Sequence, residues 1–192
     1  MSKITTLQYS PAVDGDILED SGCGYDPSVY TRDTTSTTNG VSYSLEGEVT
    51  WHIRRAFWDF TSISIPDRAK VVGVRLILEV TSANNNAVQF RALADLSTNY
   101  TDANLFTAII TGNALVQSTP SAAGEVTINL GGVAQSILNR QKTWFSIGVH
   151  FVGSPDTPAR WATQEHATAA YRPILEIDYA YIDNVQPPGG NA

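Results

Sequence analysis

The stretch Val71-Val72-Gly73-Val74-Arg75-Leu76-Ile77-Leu78-Glu79-Val80 decides the fold class. Val72, Val74, Leu76, Leu78 and Val80 recur at every second position, with Arg75 and Glu79 on the alternate phase. A period of two sets one row of side chains on each face of an extended strand. The apolar row predicts a strand with one face in a core and the other toward solvent.

The same alternation continues in both directions. Upstream, Val41, Tyr43 and Leu45 alternate with Ser42 and Ser44, and Val49, Trp51 and Ile53 extend the pattern. Ala56, Trp58 and Phe60 then take over as the inward set, so the phase shifts and predicts a bulge near Arg54-Arg55. Downstream, the inward rows are Val88, Phe90 and Ala92; Val126, Ile128 and Leu130; Phe145, Ile147, Val149 and Phe151; and Leu175, Ile177, Tyr179 and Tyr181. Turn-rich runs such as Ser82-Ala83-Asn84-Asn85-Asn86 and Gly153-Ser154-Pro155-Asp156 separate them. Only Val133, Ile137 and Leu138, after Gly131-Gly132, show helical spacing. Many strands with one short helix predict an all-β, jelly-roll-like antiparallel β-sandwich. No internal repeat or linker interrupts residues 1–186, which read as a single domain, and 187–192 read as a C-terminal tail rich in Pro and Gly.

Bulk composition narrows the function. The 192 residues suit one large β domain, and 42% of them are hydrophobic, enough for a core. Only 16% are charged, with Ser, Thr, Asn and Gln supplying the remaining polarity. The net charge is -7, and the 12 basic residues are scattered along the chain. Binding to a phosphate backbone or an anionic membrane surface needs clustered cations, so neither nucleic acid nor membrane is expected as a partner. The single cysteine, Cys23, permits neither an intrachain disulfide nor a cysteine-based zinc site. Met1-Ser2-Lys3-Ile4-Thr5-Thr6 lacks the apolar stretch of a signal peptide, which predicts synthesis in the cytoplasm without export by that route.

Two stretches carry a family resemblance. The first is Arg54-Arg55-Ala56-Phe57-Trp58-Asp59-Phe60, followed by Ile63, Ile65-Pro66 and the strand from Val71 to Leu78. The second is Tyr171-Arg172-Pro173-Ile174-Leu175-Glu176-Ile177-Asp178-Tyr179. Between them, Ile128-Asn129-Leu130 with Val133 and Ile137 resembles the strand and short helix before the penultimate hairpin. Together these resemble the DNRLRE-type domains, jelly-roll modules similar to certain polysaccharide-binding modules. The resemblance implies the fold, and polysaccharide binding as a function of some members. Residues 93–124 lack the Trp-rich turn that many members carry, and such modules usually sit in exported multidomain chains.

Candidate chemistry is sparse. His52, His150 and His166 form no metal-ligand spacing, and His52 and His150 fall on the polar phase of their strands. There is no nucleophile elbow, P-loop or dinucleotide fingerprint. Asp14-Gly15-Asp16 with Glu19-Asp20 has the oxygen ligands of a calcium site but no EF-hand frame, and reads as a solvated acidic turn. Asn99-Tyr100-Thr101 is a glycosylation sequon by pattern and, without a signal peptide, reads as chance. Of Trp51, Trp58, Trp144 and Trp161, the second reads as core. Exposed aromatics stack on sugars and anchor interfaces, so Trp144 and Trp161, with Arg160 and His166, form the candidate ligand or interface surface. Glu165-His166 is placed to face Arg160.

These readings predict a non-catalytic protein with no cofactor and no metal. The first expectation is a structural subunit of a bacteriophage virion: a capsid decoration, head-fibre or tail-associated jelly roll. It would assemble as a homo-oligomer, a trimer by guess, with other virion proteins, and it would reside in the virion. The alternative is a carbohydrate-binding module, and a surface glycan is a candidate partner under either reading.

Overall fold

The computed structural model describes residues 4–22, 28–46, 50–153 and 157–181. Cys23, Val49, residues 154–156 and the tail 187–192 lie outside these, as do the side chains of Leu45 and Trp51. The strands are β1 (Ile4–Tyr9), β2 (Val13–Gly22), β3 (Val29–Asp33), β4 (Thr38–Glu46), β5 (Thr50–Phe60), β6 (Ala69–Ser82), β7 (Val88–Ala92), β8 (Asn113–Ser118), β9 (Gly124–Asn129), β10 (Phe145–Phe151), β11 (Ala159–Ala162) and β12 (Ile174–Tyr181). All are paired antiparallel in one curled, half-barrel sheet, consistent with the all-β sandwich. Two helices accompany them, α1 (Asp102–Thr111) and α2 (Gly131–Gln141), where the sequence predicts one.

Two long strands organise the sheet. Along one edge β6 pairs first with β12, through Ala69 to Ile77, and then with β11 at Val80 and Ser82; its other edge carries β9. Strand β5 is built alike: β2 lies along one edge, while β4 pairs with 50–54 and β10 with 56–60 on the other. Strand β4 turns the corner, pairing with β11 through Val41 and with β5 from Ser42. The sheet therefore folds over on itself. Its inner faces bury Trp58, Phe90 and Trp161 together, with Trp58–Trp161 edge to face at 5.9 Å and Trp58–Phe90 stacked at 6.3 Å. Such aromatic packing contributes ~0.5–1.5 kcal/mol per pair beyond the area buried.

A second, smaller core lies on the outside of β5 and β10. Helix α1 starts at Thr101, whose hydroxyl accepts from the Asn104 amide, and buries Leu105, Phe106 and Ile109 against Ile17, Phe57 and Leu93. This core removes the expected bulge at Arg54-Arg55. The β2–β5 register runs from Thr50 to Asp59 without a shift. Ile53 and Phe57 face the outer core while Ala56, Trp58 and Phe60 face the inner one. The apolar phase slips in the sequence because apolar residues occupy both faces in turn, as a doubly covered strand requires.

Register shifts lie instead between β7 and β8, between β11 and β6, and at a bulge of β6 against β12. Opposite it, Asp178 pairs with Gly73 and Tyr179 with Val71, so Val72 is skipped. Val72 is consequently exposed and Val71 buried, which corrects its placement in the inward row. The Asn139 side chain of α2 meets the main chain here: Val71 N–H donates to Oδ1 at 2.9 Å, and Nδ2 donates to the Val71 carbonyl at 3.3 Å. Two other inward assignments also change. Tyr181 is exposed at the end of β12, and in α2 Ala134, not Val133, joins Ile137 and Leu138 in the core.

Candidate functional site

The exchange of partners along β5 leaves a notch. On the edge away from β2, the ladder with β4 ends at Arg54 and that with β10 begins at Ala56. A cleft of about 200 Å³ opens there, lined by Ser42 and Tyr43 of β4, Ile53 to Arg55 of β5, Ile110 of α1, and His150, Phe151 and Gly153. A second hollow of about 390 Å³ shares Ser42, Tyr43 and Arg54, and extends past Ser44, His52 and Pro158 to Arg160. The second forms a groove along β4 and β5 on the face of β5 that carries Arg54, while the first, the cleft, lies toward α1 on the face that carries Arg55, since successive side chains of a strand point to opposite faces.

Arg54 and Arg160 border the groove and Arg55 the cleft, in a chain whose net charge is negative. Arg54 donates to Asp16, with Nη1 to Oδ2 at 3.0 Å. Burial raises the Asp16 carboxyl above its usual value, and the Arg54 charge opposes this. The Arg55 guanidinium lies 3.4 Å over the Phe106 ring and donates to the Phe106 carbonyl. Burial lowers its pKa to about 10, so it stays protonated at neutral pH. Among the described residues, neither Arg55 nor Arg160 has a carboxylate within ion-pair distance. Arg160 is exposed on the rim.

His150 sits beside them as a neutral ring. Burial lowers its pKa, and the Arg91 charge adds to this. Arg91 Nε donates to its Nε2 at 3.1 Å, so the ring proton is on Nδ1, which donates to the Phe151 carbonyl at 2.7 Å. His52 is held by Asp20, Nδ1 to Oδ1 at 2.5 Å. The groove thus offers the guanidinium forks of Arg54 and Arg160 beside the hydroxyls of Ser42 and Ser44, and the cleft is lined by the apolar side chains Ile53, Ile110 and Phe151. Guanidinium forks match the paired oxygens of carboxylates and sulfates.

The predicted surface is only partly present. Arg160 lines the groove. Trp161 does not: it is 1% exposed and wedged against Trp58 and Phe90. The alternation that sends Arg160 outward sends Trp161 inward. Trp144 is half-buried where α2 hands over to β10, its carbonyl accepting from Gln141 Nε2 at 2.6 Å, and it lines neither the groove nor the cleft. His166 leans on Tyr171 with ring centroids 5.2 Å apart, and its carbonyl accepts from Arg172 Nε. Glu165 lies against Asp14, not Arg160. The acidic run 14–20 is no turn. It is part of β2, with Asp14 and Asp16 buried, Glu19 bonded to Tyr30 and Asp20 to His52. Thr101 of the sequon pattern caps α1.

The sequence reading singles out none of Arg54, Arg55, Tyr43 and Ile110 as site residues. The phase break at Arg54-Arg55 was their signal, since it marks where β5 changes neighbours. No helix among the described residues is long and apolar enough to cross a membrane. No protein-family model matches the chain, and no curated protein matches it significantly in sequence.

Proposed function

We propose that this chain is a non-catalytic binding module whose groove takes an acidic polysaccharide, such as a uronate or sulfated glycan. The observation that carries the reading is the pairing of Arg54 and Arg160 along one groove, beside Ser42 and Ser44, in an otherwise acidic protein. Hydroxyls beside guanidiniums suit a ligand that is both charged and rich in hydroxyls. The resemblance to DNRLRE-type modules supports the same class. Affinity electrophoresis through gels containing polygalacturonate, chondroitin sulfate or a neutral glucan tests it. Retardation by an acidic gel alone, weakening with salt, is expected. Arg160→Ala lowers affinity about tenfold, the worth of one exposed charged hydrogen bond. Equal migration in all three gels overturns the reading.

A second reading, a bacteriophage virion subunit that assembles through its edges, is favoured by β1. Among the described residues this strand pairs on one side only, with β12, and it presents Ile4 at 60% exposure. An open edge invites pairing with another chain. Under this reading the subunit forms a homo-oligomer, and the groove serves adhesion by the particle. Light scattering on the purified protein decides between a closed oligomer and a monomer, and a monomer counts against this second reading.

A further inference from the structure

Away from the groove, three of the four buried side-chain oxygens that have no hydrogen-bond partner among the described residues belong to Asp14, Asn39 and Gln164. Asp14 is 1% exposed; its Oδ2 accepts from the Gln164 amide at 3.0 Å, while Oδ1 is unpartnered. Asn39 is also 1% exposed, and neither its Oδ1 nor its Nδ2 is bonded. The third is Gln164 Oε1. Native structures rarely leave such groups unmet, so a cluster of them calls for an occupant.

Topology brings these residues to one place. Asp14 stands opposite Trp58 in the β2–β5 ladder, and Asn39 opposite Trp161 in the β4–β11 ladder. Residues directly opposite in a ladder share a face, and the two indoles are in edge-to-face contact. The segment after β11 is pinned to the start of β4: Thr163 N–H donates to the Thr37 carbonyl at 3.1 Å, and Thr163 Oγ1 to the Ser36 carbonyl at 2.6 Å. That pinning presents Gln164 and Glu165 to Asp14. Glu165 is exposed and adds a second negative charge beside the Asp14 carboxyl.

A proton on Asp14 relieves the repulsion with Glu165 but leaves the oxygens of Asn39 and Gln164 unmet. The set holds two carboxylates and two amide oxygens, with no sulfur or imidazole. Calcium takes such all-oxygen sets, with water completing the shell, whereas zinc prefers nitrogen and sulfur. We propose that Asp14, Asn39, Gln164 and Glu165 bind one hard cation of the calcium class, locking β2, β4 and the segment after β11 together.

Terbium is the probe, because Trp58 and Trp161 stand next to the site and can sensitise its emission. Chelator-treated protein is titrated with terbium, then with calcium as competitor, and melting is followed in calcium and in chelator. One saturable equivalent, displaced by calcium, with a melting temperature several degrees higher in calcium, is expected. Glu165→Gln, on the exposed rim, weakens binding at least tenfold and removes most of the calcium shift. It serves even if Asp14→Asn fails to fold. Absence of both saturable emission and a calcium shift, leaving water as the only occupant, overturns the proposal. So does binding that Glu165→Gln and Asn39→Ala both leave unchanged.

Discussion

A tryptophan enclosed by two aromatic rings has no face to offer a ligand, and this separates Trp161 from its neighbour. Truncating it to alanine removes a fully buried indole and leaves a cavity between the folded-over faces. Trp161→Ala is expected to cost about 3–5 kcal/mol, seen as a lower midpoint in urea unfolding. Arg160→Ala, one residue away and exposed, is expected to stay within about 0.5 kcal/mol of the parent. Equal effects at the two positions would mean that the alternation of β11 has been misassigned. Alternation alone says that Arg160 and Trp161 face opposite ways. Which of them faces inward depends on the pairing with β4 and β6, and these partners lie far away in the chain. The polar side chains Asn39 and Gln164 are invisible for the same reason, since an amide on a short strand or in a loop ordinarily meets water.

Elements covered on both faces are where periodicity misleads. In β10 the inward row Phe145, Ile147, Val149 and Phe151 is legible, yet Ser146 and Gly148 are buried as well. The cover is α1. A Cβ on Gly148 would come within 2.7 Å of Ile109 Cγ1 and 3.0 Å of its Cγ2. Gly148→Ala is therefore expected to cost about 1–3 kcal/mol through overpacking. Combined with Ile109→Ala, which alone costs about 2–5 kcal/mol, its penalty should shrink, and the two changes should couple favourably in a double-mutant cycle. Strict additivity would show that α1 does not rest on Gly148. The pattern does not show this helix, because Thr107, Ile109, Ile110 and Thr111 are β-branched and lower helix propensity. The legible signs were the Thr101 cap and the four-residue spacing of Leu105 and Ile109. By contrast α2 is legible, because Gly131-Gly132 set it off from the strand before it. The bulge in β6 is illegible because valine stands at both 71 and 72, and only the register with β12 tells which is inside.

At the scale of the molecule, antiparallel sheet and core were legible from strand alternation, while the order of strands and the curl were not. Pairings such as β1 with β12 join the two ends of the chain, and no local pattern encodes them. One carboxylate ties three of these strands together. Asp178 of β12 accepts from Thr6 of β1 at 2.6 Å and from Arg75 of β6 at 2.7 and 3.2 Å, and Arg75 also donates to Glu176. Gly73 makes room for it, since a Cβ there would come within 2.7 Å of Asp178 Oδ2. Burial by itself pushes the Asp178 carboxyl up, but the bonds from Arg75 and Thr6 and the Arg75 charge outweigh it and hold the group below the ordinary 3.8. Asp33 is likewise lowered, first by the Thr35 amide, with the Thr35 hydroxyl and Ser36 amide adding to it against a smaller burial effect. A carboxylate whose folded pKa lies below its unfolded one contributes stability that is complete above the unfolded value. That stability is lost as pH falls through the folded value. The melting temperature should therefore fall as pH drops below about 4. Asp178→Asn should cost about 1–2 kcal/mol at neutral pH, a charged hydrogen-bond contribution discounted for the partly exposed Arg75. It should also make the acid slope shallower, leaving the part that belongs to Asp33. If melting followed from about pH 6 to pH 2 gives the variant the same acid slope as the parent, the tie through Asp178 is not what acid breaks.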